Sequence, residues 1–128
     1  MPGQKKDQQT WALTEFVDIY PTLCDLAGLP KPPHLDGESL IPILENPQAD
    51  HKPHIFSRFH KGESVKTDRY VYSEWIDPDS DSTYARMLYD HQTDSLENNN
   101  VAEEEEYASV VAELNQVLTQ RRRESEAK

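Results

Sequence analysis

The chain has 128 residues but one cysteine, four glycines and no excess of basic charge. It also has no apolar run near the ~18 residues of a membrane span. Each scarcity excludes something. A lone Cys24 rules out an internal disulfide and a cysteine-ligated zinc cluster. Its neighbours Leu23 and Leu26 mark it as a small buried apolar residue. Thirteen Lys and Arg against 24 Asp and Glu leave a net charge of −11, the wrong sign for a nucleic-acid partner. An anionic sugar would also be repelled unless cations were gathered locally. The one basic run, Arg121-Arg122-Arg123, is short and followed by Glu124. With no spanning segment, no membrane partner is expected. Residues 1–9 lack the apolar core of a signal peptide, so nothing here directs export. In a piece of a longer product, that absence would say nothing of the parent. Hydrophobic residues make up only 35%, which suits a piece that leans on something larger.

The pattern present is that of an α+β domain. Residues 1–9 are polar and irregular. Trp11, Leu13, Phe16, Val17 and Tyr20 approximate one helical face. Pro21 disfavours helical geometry at Tyr20, which predicts a corner there and a second short helix starting at Pro21. Thr22 and Asp25 stand at capping-box spacing, and Gly28 supplies a C-terminal stop. Two short helices are thus expected over 10–28. A Pro-punctuated loop over 29–53 follows, interrupted by one or two turns that Ser39 can cap through Leu44. The segments 54–59, 65–76 and 86–90 read as an antiparallel meander of three to four strands over 54–90. Tyr107, Val110, Val111, Leu114, Val117 and Leu118 define an amphipathic helix over 103–122 that should lie across one face of the sheet. Glu103–Glu106 and Arg121–Arg123 match its dipole. Residues 123–128 should form a frayed tail.

Candidate chemistry is sparse. Asp18 and Asp25 could form a carboxylate pair, but their places on short helices suit capping or solvated groups better. His51 and His54 flank Lys52-Pro53 without a third ligand, too few for zinc. Asp77, Asp79 and Asp81 alternate as a calcium loop begins, yet lack its Gly and distal Glu, so a solvated turn is the plainer reading. No metal site is expected. In Lys66-Thr67-Asp68-Arg69-Tyr70, Asp68 and Arg69 suit turn and strand hydrogen bonds while Tyr70, Tyr72 and Trp75 pack.

Two blocks, Val17-Asp18-Ile19-Tyr20-Pro21-Thr22-Leu23-Cys24-Asp25-Leu26-Ala27-Gly28-Leu29 and Asp36-Gly37-Glu38-Ser39-Leu40-Ile41-Pro42-Ile43-Leu44, are followed by a third, Lys66–Trp75. Leu88-Tyr89-Asp90, Asp94, Glu97-Asn98 and Asn100-Val101-Ala102 come behind. Over residues 10–120 this series resembles the C-terminal part of a type I sulfatase, most of all the iduronate-2-sulfatase branch. The resemblance implies a C-terminal subdomain of an alkaline-phosphatase-like α/β enzyme that hydrolyses sulfuric esters of sulfated sugars and glycosaminoglycans. Such enzymes use calcium and a formylglycine made from Cys or Ser in a Cys/Ser-x-Pro-x-Arg motif. Neither Cys24 nor any serine fits that motif. No catalytic residue and no cofactor is therefore expected in this chain, and alone it should be inactive. The implied partners are an N-terminal catalytic domain and, in the intact enzyme, a sulfated carbohydrate. The Trp11, Phe16, Tyr70 and Tyr72 surface would meet that domain. Loops of this subdomain approach the active-site rim in the resembling enzymes, which makes Arg58, His60 and Lys61 candidate substrate-binding residues, an ordinary exposed hairpin being the alternative. The parent sulfatase would be exported, whether periplasmic, secreted or lysosomal. The chain could be a truncated product or one half of a split enzyme. A stand-alone protein-interaction module remains the rival.

Overall fold

The computed structural model describes residues 7–80 and 82–126; the expectations for residues 1–6, Asp81 and the last two residues of the tail lie outside that range. The chain divides into two compact units, one ending at Ile55 and the other beginning at Phe56.

In the first unit a 3-10 turn, Phe16–Asp18, runs directly into helix α1, Ile19–Ala27. The expected corner at Tyr20 is absent. Pro21 falls inside the first turn of α1, where its missing N–H leaves no helical bond unmade. Thr22 accordingly is not a cap. It is buried, donates to the Asp18 carbonyl at 2.6 Å and accepts the Leu40 N–H at 2.8 Å. Gly28 stops the helix at φ +65, and the Leu29 N–H returns to the Cys24 carbonyl at 2.9 Å. Helix α2, Ile41–Glu45, carries Pro42 in its first turn. Leu13, expected in a helix, instead bridges Lys52 as an extended residue.

The second unit is built on a four-stranded sheet in the order β1-β2-β3-β4: Ile55–Phe59, Gly62–Lys66, Tyr70–Asp77 and Ser82–Asp90. The strand expected over 65–76 is broken at Thr67, whose hydroxyl accepts the N–H groups of Arg69 and Tyr70 and closes a turn. Val65 faces Tyr72, which faces Leu88. These three are buried under Val111, Leu114 and Leu118 of helix α3, Ala108–Glu126, with Ala102 completing the core. The helix thus continues past 122 through the first part of the expected tail. Asn100 accepts the Leu88 N–H at 2.9 Å and donates to the Arg86 carbonyl at 3.2 Å, and Val101 N–H meets the Leu88 carbonyl. That segment covers the free edge of β4.

Candidate functional site

The first unit is organised by one carboxylate. Asp18 is fully buried and accepts the Glu15 N–H at 2.7 Å, the Glu38 N–H at 2.9 Å and the Lys52 ammonium at 2.7 Å. Lys52 also holds Glu15 at 2.7 Å. Burial alone would push the Asp18 carboxyl up. The Lys52 ammonium and the two backbone donors outweigh it and hold the group below the usual carboxylate range. Gly37 makes the approach of Glu38 possible, because a Cβ there would collide with the Val17 carbonyl. The spaced signatures Val17–Leu29 and Asp36–Leu44 are therefore two sides of one backbone contact. His51 Nε2 is buried 3.8 Å from Asp18 Oδ2, with no hydrogen-bond partner among the described residues. Asp25 pairs instead with Lys31 at 3.1 Å. A cleft of about 750 Å³ beside them is lined by Pro21, Pro42, Lys31, Ser39 and His51.

Ile43, Cys24 and Pro21 of this unit are buried, but most of its large apolar side chains are exposed. Trp11 is 93% exposed and Phe16 91%, while Ile19, Tyr20, Leu23 and Leu29 are also exposed. Of the four aromatics expected to share one exposed surface, Trp11 and Phe16 are the exposed ones. Tyr72 is 1% exposed and belongs to the core of the second unit, and Tyr70 is half-buried beneath the Arg69 guanidinium.

In the second unit, Arg58, His60 and Lys61 fall together at the β1–β2 turn, all exposed. The Arg58 guanidinium lies 3.5 Å from Glu63. His60 has φ +53 and sets its ring edge-on to Phe59 at 4.3 Å. Sequence reading missed two buried ionic clusters in this unit. Glu74 accepts Tyr72 OH at 3.0 Å, Asn115 at 2.7 Å and Arg122 at 2.7 Å, and Arg122 also holds Glu63 at 2.9 Å. Burial, with the Glu74 charge behind it, pushes the Tyr72 phenol up. Asp90 takes a bidentate Arg69 at 2.9 and 2.6 Å, together with the Gln92 N–H and Tyr107 OH. The Arg69 guanidinium holds its carboxyl at about 2. Both clusters join residues far apart in sequence. The remaining signal was the set of charged residues, Glu63, Glu74, Arg86 and Asp90, that alternate with Val65, Tyr72 and Leu88 on one strand face.

Among the described residues no group of three or more His, Cys, Asp or Glu converges to hold a metal ion. No Cys or Ser is followed two places on by Pro, so the chain does not fit a formylglycine, and the described residues do not converge on a calcium ion, the two groups on which sulfatases in general depend. No described helix is long and apolar enough to cross a membrane.

A four-stranded antiparallel sheet packed by a C-terminal helix, with short helices before it, defines a sulfatase C-terminal domain of the alkaline-phosphatase-like class. Residues 1–124 match the family described as N-sulphoglucosamine sulphohydrolase, C-terminal, and the chain belongs to that family. It is 34% identical to arylsulfatase K of Rattus norvegicus, over 91% of this chain and 22% of the relative. It is 31% identical to the Δ4,5-hexuronate-2-O-sulfatase of Bacteroides thetaiotaomicron, over 90% of this chain and 25% of the relative. The chain thus spans a quarter or less of these relatives. A solved 2-O GAG sulfatase superposes with a TM-score of 0.71 at 31% identity, covering 85% of this chain and 24% of that one. The phosphonate monoester hydrolase of Agrobacterium radiobacter gives 0.69 at 27% identity, over 88% and 25%.

Proposed function

We propose that this chain is the C-terminal part of a sulfatase that removes 2-O-sulfate from hexuronate units of glycosaminoglycans, as an iduronate-2-sulfatase does. It supplies binding surface rather than catalysis and is inactive alone. The exposed Trp11 and Phe16 dock on a catalytic portion that carries the formylglycine and calcium. Arg58, His60 and Lys61 stand at the rim of the substrate cleft. The parent enzyme works in an exported compartment, periplasmic, secreted or lysosomal. The reading rests above all on the apolar surface of the first unit, since two aromatic side chains more than nine-tenths exposed are costly unless something covers them. Its specificity rests on the relatives named for 2-O-sulfate removal.

The test is to mix or co-express this chain with a sulfatase catalytic portion ending where it begins, and to assay a 2-O-sulfated unsaturated disaccharide. Activity that needs both pieces supports the reading. Cooperative unfolding of this chain by itself, with no association, would favour the stand-alone interaction module instead.

A further inference from the structure

Two backbone irregularities and one close approach gather at one end of the sheet. His60 takes a positive φ at the first central position of the β1–β2 turn, a position that type II′ hairpins ordinarily give to glycine. Beside it, Gly62 faces Trp75, and a Cβ on Gly62 would meet the Trp75 indole at 2.7 Å. Across from Trp75 the β3–β4 register slips, pairing Trp75 with Ala85 and Ile76 with Thr83, so that Tyr84 is the extra residue of a bulge. Gly62, Trp75 and Ala85 form a row on the face opposite Val65, Tyr72 and Leu88, so none of it serves the core under α3. Phe59 is 77% exposed and Tyr84 61%. Trp75 is half-buried, and its Nε1 donor takes no partner among the described residues. Among the described residues Lys61 forms no ion pair either, in a chain of net charge −11.

We infer that this end of the sheet is a saccharide platform for an anionic pyranose. The Trp75 indole, bared by the glycine beneath it, stacks on the C–H face of a sugar ring, and Tyr84 flanks it. Lys61 and His60 reach the ring's carboxylate or sulfate. His60 takes a turn position that glycine fills without strain, and its ring packs on the exposed Phe59, so the side chain is placed to serve something outside the fold. An amphipathic indole with a free donor suits a surface that is apolar on one side and polar on the other, and the Lys61 ammonium answers the ligand's charge. The inference rests on the parent acting on sulfated sugars.

The test titrates the whole chain, in a Trp11→Phe background, with a 2-O-sulfated hexuronate disaccharide while the Trp75 indole N–H resonance is followed. A saturable shift is expected, weaker with the unsulfated disaccharide. Lys61→Gln, followed by the same signal, should weaken binding about five- to tenfold. Trp75→Phe, followed by the Tyr84 amide, should do so by about tenfold. No shift, or an equal shift with sodium sulfate alone, overturns the platform. So does broadening of the Trp75 signal on adding the catalytic portion but not the sugar, which would make this a protein contact. In a reconstituted active enzyme, an unchanged KM for both variants removes the platform and leaves the sulfatase reading standing. A saturable Trp75 shift with the sugar, combined with failure of any catalytic portion to associate with this chain, would instead keep the platform and remove the sulfatase reading.

Discussion

The two units of this chain place polarity and hydrophobicity in opposite ways. The second follows the usual order: Val65, Tyr72, Leu88, Leu114 and Leu118 lie within, each 2% exposed or less. The first inverts it. Its buried centre is the carboxylate of Asp18, held by two N–H groups and an ammonium, while Trp11 and Phe16 stand in the open. Burial of apolar area at roughly 25 cal/mol per Å² can sustain the second unit. The first buries only Ile43, Pro21 and Cys24 among its described apolar side chains and keeps its largest ones on the surface, so a hydrogen-bonded ion cluster must help to fix its loops. Such a cluster specifies geometry more than it stabilises, because desolvation of the charges opposes their attraction. That is the construction expected of a segment shaped to fit against something else.

The contrast is broken most sharply at its two centres. Asp18→Ala leaves the buried Lys52 with Glu15 as its remaining partner and two backbone donors unmet, and should cost the first unit about 2–5 kcal/mol. Hydrogen exchange reads the loss: amides of 15–40 should lose protection far more than those of Val65 and Leu88. An equal loss in both places would show that Asp18 is not the determinant assigned to it. Leu88→Ala is the counterpart, removing a side chain with 0% exposure, with an expected cost of about 2–5 kcal/mol. Its loss should register first in the amides of β2–β4 and α3.

The same contrast explains what could be read from the residues alone. The face Tyr107–Val110–Val111–Leu114–Val117–Leu118 was legible, since a core built from apolar periodicity writes itself into the local sequence. Gly28 was legible as a helix stop. The helical start was misread because Pro21 was taken to open a helix that begins two residues earlier at Ile19, a first turn tolerating proline at more than one position. The long strand 65–76 hid a turn whose chemistry rests on Thr67, without the Gly, Pro or Asn that usually announces one. Least legible was the Asp18 centre, whose Lys52 lies 34 residues away and whose necessary glycine, Gly37, reveals its role only when the Val17 carbonyl is seen against it. Of the candidate rim, grouping Arg58, His60 and Lys61 at one turn followed from the hairpin. Trp75 and Tyr84 did not, because only the sheet register brings them to the same end.

Acid should sharpen the comparison by a smaller amount. Asp90, held at about 2 by Arg69, has a native value below that of an unfolded aspartate near 3.9. Its contribution is therefore fully present above about pH 4 and is lost as pH falls towards 2. Asp18, also lowered, follows the same sign in the first unit. Asp90→Asn should make the acid limb of stability shallower in the second unit while leaving that of the first unit steep. A parallel flattening in both would mean that Asp90 is not the titrating group.

The smallest effect on stability should come from the largest change in appearance. Replacing Trp11 and Phe16 together by serine removes two bulky aromatics, yet both are already more than nine-tenths exposed, so the folded chain loses almost no contact. The unfolding free energy should move by no more than about 0.5 kcal/mol, and the apparent midpoint by a degree or two. Solubility should rise, because exposed rings promote self-association. If these side chains are the anchors of a docking surface, the same double substitution should weaken association with the catalytic portion at least tenfold, since buried aromatic anchors carry much of the energy of an interface. A chain that folds as before but no longer restores activity would separate the two purposes of the first unit, Asp18 giving it shape and the outward aromatics giving it a partner. A chain that is markedly destabilised would instead place Trp11 and Phe16 among the residues that hold the unit together, and the inversion between the two units would disappear.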